Sequence, residues 1–189
     1  METITIQIFQ DDVYGEVAKA TDYTGSKLID GDEDARDRIL AADDDLAELG
    51  RFWEESVLAA NENFKEMLVS GKTTKIPPLI SGSEIIRPTI PDTSPVAGDV
   101  APQADIVAPL PLGKTGYEAV IEVSKSFDKT LTASVQSTLR SFFIASIIGQ
   151  WFKFANKGEA KDYFMQASDM METAERLLYS RRKPTLPKD

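Results

Sequence analysis

Eight of the ten prolines in this 189-residue chain lie between residues 72 and 113. Because proline lacks a backbone N–H and has a fixed φ angle, this segment cannot form a long helix and favours extended chain. Many aliphatic residues stand between the prolines, which a simple spacer does not need. We therefore expect an extended arm that lies on a neighbouring surface; a disordered insertion is the alternative. The arm residues expected to contact a partner include Ile85, Ile86, Ile90, Ile106 and Val107.

The proline-rich segment divides the chain into three parts. Residues 1–71 are predicted to hold an N-terminal strand and a long helix, and residues 72–115 the arm. Residues 116–189 are predicted to hold a second strand and a helical hairpin that packs with residues 1–71 as one domain. The expected fold is therefore mainly α, with a small β element at about residues 3–8 and 117–124.

Both predicted strands show alternating polarity. "TITIQI" (Thr3–Ile8) and "GYEAVIEVS" (Gly116–Ser124) place apolar residues on one face and mostly polar ones on the other, as half-buried strands do. They could pair with each other, or each could pair with another copy of the chain. A short helix is expected around residues 13–20, followed by a turn-rich loop over residues 21–34.

A long acidic helix is predicted over about residues 32–70. Its apolar residues recur at intervals of three and four, which makes one continuous helical stripe. Gly71 is expected to end the helix, and whether Gly50 interrupts it is left open. An unbroken helix of this length would be roughly 55–60 Å long at 1.5 Å per residue, more than a compact domain of this size needs.

The C-terminal part is predicted to be an antiparallel hairpin of two helices. The first begins near Ser126 and includes "SFFIASIIGQWFKF" (residues 141–154), the most apolar run in the chain. Asn156–Glu159 forms the turn, and the second helix ends before Pro184. The run from Phe142 to Phe154 is shorter than the ~20 apolar residues that span a bilayer, so no membrane contact is expected. We expect the acidic helix, and neighbouring subunits as well, to cover it.

The composition removes several common chemistries. With no cysteine and no histidine, the chain has no thiolate nucleophile, no imidazole base and no Cys/His zinc site. "DGDEDARDRILA" has acids at three positions of a calcium loop, but Ala35 replaces the required glycine and Ala41 the closing glutamate. Neither "GKT" triplet has the preceding glycine of a phosphate-binding loop. No catalytic, cofactor-binding or metal-binding residue is predicted, and an enzyme is not expected.

Charge is divided unevenly along the chain. Residues 1–69 hold 18 acidic and 6 basic residues, a net charge of −12, whereas residues 70–189 hold 13 and 15, a net of +2. The basic group Arg181, Arg182 and Lys183 follows the last helix, where it can simply stabilise the helix dipole. A contact with the acidic face of a neighbouring copy is the other interpretation. We prefer it to a contact with nucleic acid, because three basic residues on an acidic protein are weak evidence for that.

The order of elements and several short segments resemble known proteins. These elements are a short N-terminal segment ending in "DGDED", a long helix, an insertion and a hairpin ending in "YSRRKP". In the order of its elements the chain resembles the head–tail connector (head-completion, or neck) proteins of tailed bacteriophages. Four short segments resemble parts of uncharacterised proteins from prophages of gut Bacteroidetes: "RFWEES", "SFDKTL", "WFKFANKGEA" and "YSRRKPT". The resemblance covers about residues 1–70 and 115–187 and excludes the proline-rich segment.

This resemblance implies a non-enzymatic virion protein. It implies a homo-oligomeric ring, commonly of twelve copies, between the portal and the tail proteins, assembled in the host cytoplasm. Contact with DNA is implied only where such a ring lines a channel. The alternative from the residues themselves is a soluble adaptor or assembly chaperone that binds a partner helix in the groove of the hairpin.

Overall fold

The computed structural model describes residues 1–28, 41, 45–77 and 113–181. Four helices and three strands make up most of these residues, and the prediction of a mainly helical fold with a small β element is confirmed. A 3₁₀ turn at Lys129–Leu131 precedes the third helix. In chain order the elements are β1 (Glu2–Phe9), α1 (Gln10–Leu28), α2 (Leu46–Asn63), β2 (Leu68–Ile76), β3 (Lys114–Val123), α3 (Thr132–Ala155) and α4 (Lys157–Leu178).

The three strands form one antiparallel sheet with β3 in the centre. Ala119 of β3 pairs with Ile6 of β1 on one side and with Gly71 of β2 on the other. The two predicted strands are therefore confirmed, and they pair with each other within one chain. Because successive side chains alternate between faces, the buried apolar residues of β1 and β3 all point to one side of the sheet. These are Ile4, Ile6, Ile8, Tyr117, Ala119, Ile121 and Val123, all buried.

Strand β2 was not predicted. Its first residues, Leu68–Ser70, were assigned to the end of the long helix, and Lys72–Ile76 to the arm. Gly71 was interpreted as a helix stop but lies inside the strand, where it makes room for Asn61 of α2. The Asn61 Nδ2 donates to the Gly71 carbonyl at 3.1 Å, and its Oδ1 accepts from the Tyr117 hydroxyl at 2.9 Å. A side chain on residue 71 would occupy the position of that amide.

The prediction of one continuous helix over residues 32–70 is wrong, because Ala41 is not helical and the helix ends at Asn63. The helix α2 begins at Leu46 and ends at Asn63. Ala41 is buried but not helical, and its N–H donates to the Thr21 hydroxyl of α1 at 3.2 Å. Residues 29–40 and 42–44 lie outside the described residues. Gly50 lies within α2 and does not interrupt it.

The first helix is longer than predicted. It runs from Gln10 to Leu28 and includes residues 21–28, which were assigned to a loop. Val13, Val17 and Thr21 are fully buried, and their spacing of four residues places them on one face of the helix. The Thr21 hydroxyl donates back to the Val17 carbonyl, which satisfies a polar group that the helix carries into the core.

Helix α3 lies at the centre of the fold. It contacts β1, α1, α2 and α4, so most of its circumference is covered by the same chain. The centroid of the Phe143 ring lies 4.8 Å from that of Trp53 of α2 and 5.3 Å from that of Tyr117 of β3. All three residues are fully buried. We expected neighbouring subunits to help cover this apolar run; the described residues supply most of the cover themselves.

The predicted antiparallel hairpin is confirmed. Asn156 alone joins α3 to α4, and its side chain caps α4 by accepting from the Glu159 N–H at 3.4 Å. Phe152 packs on Tyr163 close to this turn. At the far end, Phe127 before α3 forms a backbone bridge with Arg181 after α4. The two helices therefore run back along each other over their full length.

By length and composition alone, the segment Lys129–Lys153 could also cross a membrane. The expectation that it is too short considered only Phe142–Phe154. A helix buried at the centre of a fold needs the same composition, and α3 has that position here. The absence of a membrane contact therefore stays a prediction.

Candidate interaction surfaces

The proline-rich segment is inserted into a β-hairpin. Strand β2 ends at Ile76 and β3 begins at Lys114, and these two residues pair directly. A Cβ placed on Gly113 would lie 2.6 Å from the carbonyl oxygen of Ile76, so the chain leaves and re-enters the fold at one point. A hairpin loop needs about two to five residues. Here residues 77–113 supply 37, so the segment is far longer than joining the strands requires.

Of the residues predicted to contact a partner, the structure describes one. Arg181 follows α4 and is exposed. Arg182 and Lys183 lie outside the described residues, as do the five arm residues Ile85, Ile86, Ile90, Ile106 and Val107. The structure therefore neither brings these residues together nor separates them.

Arg181 lines a depression of about 560 Å³ where the ends of β1, β3 and α4 meet. Its other lining residues include the exposed side chains of Met1 and Tyr179. Glu66 and Glu122 lie in the same wall, so acidic and basic groups are mixed there. This mixture does not favour a polyanion such as nucleic acid over a protein.

A second depression, of about 490 Å³, is a groove with α3 at its floor and with α2 and α4 at its sides. A chain of buried hydroxyl and amide groups crosses the floor. The Ser56 hydroxyl of α2 lies 2.9 Å from the Ser146 hydroxyl, which accepts from the Gln150 Nε2 at 3.4 Å. The Gln150 Oε1 is buried and has no partner. Acidic residues of α2 and α4, Glu55, Glu172 and Glu175, line this groove.

A third depression, of about 590 Å³, lies beside the turn between α3 and α4. Phe164 and Met165 form its apolar surface and are 41% and 57% exposed. Phe164 lies across α3 at Gly149, where a Cβ would come within 3.1 Å of the ring. Lysines surround the apolar residues, and no acidic residue lines this depression within the part of the chain that is described. We call it the lysine cup; it comprises Lys153, Lys157, Ala160, Lys161, Phe164, Met165 and Ser168.

Leu58 is the most exposed large apolar side chain on α2, at 66%. Every 3.6 residues complete a turn, so Leu58 lies on the side opposite the buried residues Trp53, Val57 and Ala60. Glu54 and Glu62 stand one turn before and one turn after it. We call Glu54, Leu58 and Glu62 the acidic ridge.

Two described tyrosines have shifted pKa values. Burial raises the pKa of Tyr14 to about 12, opposed by its hydrogen bond from Gln10, and burial also raises the pKa of Tyr117. Across residues 1–28, 41, 45–77 and 113–181, the structure has no group of three or more acidic side chains that could hold a metal ion. No known protein family, curated protein or solved structure matches this chain.

Sequence reasoning missed the lysine cup and the acidic ridge. The signals were present: Lys153, Lys157 and Lys161 recur every four residues through the turn, and Leu58 stands out of phase with the apolar stripe. Both were overlooked because the apolar periodicity was used to find the core. A large apolar residue outside that period lies on an exposed side of its element instead.

Proposed function

We propose that this chain is a non-enzymatic structural protein of a tailed bacteriophage, a subunit of the head–tail connector, or neck. The observation that carries the proposal is the 37-residue insertion between two directly paired strands. A segment that the hairpin does not need, and that is rich in aliphatic residues, has a use outside the body from which it starts. The resemblance to neck proteins is the reason for assigning the chain to the neck of the virion.

In this proposal residues 78–112 form an extended arm that binds a neighbouring copy. Its contacts are made by Ile85, Ile86, Ile90, Ile106 and Val107, while Arg181, Arg182 and Lys183 bind a neighbour's acidic surface. A ring of copies, commonly twelve, lies between the portal and the tail proteins, and DNA meets the protein only where the ring lines a channel.

A second function is favoured by the groove over α3. Its floor carries an unpartnered acceptor, Gln150 Oε1, and its acidic sides suit a basic helix. An adaptor or assembly chaperone would bind a partner helix there and leave after assembly. The two functions differ in whether the chain remains in the finished particle.

The test is quantitative mass spectrometry of purified particles from cells that encode the chain. A neck subunit is present at a fixed ratio to the portal protein, and an assembly chaperone is absent from finished particles but present in precursors. A variant in which residues 77–113 are replaced by a two-residue turn should yield filled heads without tails. Normal infectious particles from that variant would refute the role of the arm, and absence of the chain from all particles would refute the neck assignment.

A further inference from the structure

The acidic ridge of α2 has the shape and charge of a protruding contact. Leu58 stands 66% exposed, and Glu54 and Glu62 lie one turn on either side. Arg51 pairs with Glu48 and Glu55, outside the ridge. Lys65 pairs with Glu62 at 2.7 Å, so Glu62 can bind another cation only by exchanging this exposed partner. Glu54 accepts from the Thr73 hydroxyl and forms no ion pair among the described residues.

The lysine cup has the complementary properties. It is a shallow, open depression that is apolar at Phe164 and Met165, and its charged groups are Lys153, Lys157 and Lys161. None of these lysines forms an ion pair among the described residues. An apolar depression with unpaired cations at its rim favours an apolar side chain flanked by carboxylates.

We propose that the acidic ridge of one copy binds the lysine cup of the next copy, with Leu58 against Phe164 and Met165. This inference rests on the proposed function, because it supplies the contact from which a ring of copies is built. Charge complementarity within one sequence is the reason to choose a second copy as the occupant: the chain carries both halves of the contact on different elements.

The ridge lies on α2 and the cup lies at the turn between α3 and α4, and in the proposed contact each copy uses its ridge on one neighbour and its cup on another. A heterologous contact leaves one free ridge and one free cup after each association. In the proposed arrangement the contact continues from copy to copy until the rotation closes a ring; a two-fold dimer, in which both ridge–cup contacts form between the same two copies, would contradict it.

Two half-variants test this geometry by sedimentation velocity. Leu58→Asp removes the ridge and keeps the cup, whereas Lys157→Glu with Lys161→Glu removes the cup and keeps the ridge. Leu46→Asp, at an exposed residue of the same helix, is the matched control. Circular dichroism checks that each variant has the wild-type helix content.

The wild type and Leu46→Asp are expected to associate beyond dimers as concentration rises, and each half-variant alone should stay monomeric. An equal mixture of the half-variants has one intact ridge and one intact cup. It should form a one-to-one dimer and nothing larger. A mixture that stays monomeric, or half-variants that associate as the wild type does, would overturn the contact, as would a wild type that is monomeric at every concentration.

Exchanging the charges gives a further check. Glu54→Lys with Glu62→Lys should block association alone and restore it when combined with the cup variant. These outcomes are independent of the neck assignment: the particle composition decides that assignment, and the mixing experiment decides which surfaces join the copies.

Discussion

Gly113 lies against the carbonyl of Ile76, and these two residues bring together the ends of a 37-residue segment. Ile76 is 2% exposed, so the point of attachment is well packed. Gly113 is the last residue of the segment, and a side chain there would collide with the backbone of Ile76. The pairing of β2 with β3 extends to Ile76 and Lys114, directly beside this point of attachment.

We predict that replacing residues 77–113 by Asn-Gly leaves the fold intact. A two-residue turn suits directly paired strands. Shortening the loop also reduces the entropy that the chain loses when the loop closes, which favours the folded state by about 2 kcal/mol. Urea unfolding should remain cooperative with a midpoint at least as high as that of the wild type. Loss of a cooperative transition would mean that the segment is part of the core.

Two glycine substitutions should have opposite effects on stability. A Cβ on Gly50, inside α2, would meet nothing within 4 Å, so Gly50→Ala should raise the free energy of unfolding by about 0.5–1 kcal/mol through helix propensity. A Cβ on Gly116 would lie 2.5 Å from the Ile8 carbonyl oxygen, so Gly116→Ala should lower it by about 1–3 kcal/mol. Urea unfolding of both variants gives the comparison; equal effects would contradict the packing described at β3.

The buried Ser56–Ser146 pair should show energetic coupling between α2 and α3. Ser56→Ala leaves the Ser146 hydroxyl with only the 3.4 Å bond from Gln150, and we expect a cost of about 1–2 kcal/mol. The double variant with Ser146→Ala should cost less than the sum of the single ones by at least about 0.5 kcal/mol. Ser134→Ala, at an exposed position of α3, is the control and should be nearly neutral. Additive effects would mean that the hydroxyls do not interact.

Stability should fall at alkaline pH because of two tyrosines. Burial raises the pKa of Tyr14 from 10.0 to about 12, and that of Tyr117 in the same direction. Between pH 10 and 12 the unfolded chain loses these protons while the folded chain keeps them, so unfolding is favoured as pH rises. Below pH 10 both states are protonated and the two groups have no effect.

Tyr14→Phe should make this alkaline loss smaller, and Tyr23→Phe, at a residue that is 65% exposed, is the control. The measurement is the urea midpoint at several pH values between 9 and 12. An identical alkaline slope in wild type and Tyr14→Phe would contradict the assignment to Tyr14.

The parts of the fold with a regular apolar period were predictable. Alternation identified β1 and β3, and the three-to-four spacing identified α2, α3 and α4. Strand β2 was missed because Leu68–Ser70 continues the helical stripe of α2 in spacing, and Gly71 was available as a stop. Only the tertiary contacts of Asn61 with Gly71 and Tyr117 reveal why the glycine is there.

The candidate surfaces were less predictable than the fold. The aromatic run on α3 was interpreted as evidence of surplus apolar surface, but the sheet and three helices cover most of it. The spacing of apolar residues along the sequence shows which face of a helix or strand they share. It does not show how many other elements pack against that face. The exposed residues of the proposed contact, Leu58, Phe164 and Met165, became visible only when the core was assigned.

Electron cryo-microscopy of purified tailed particles from cells that encode this chain tests the central claim most directly. If the chain is a neck subunit, we expect a ring of density between the portal and the tail. The folded body formed by β1–β3 and α1–α4 should fit this density, with one body in each repeat of the ring. A fully resolved neck with no density that fits this body, in particles whose portal and tail are complete, would contradict it.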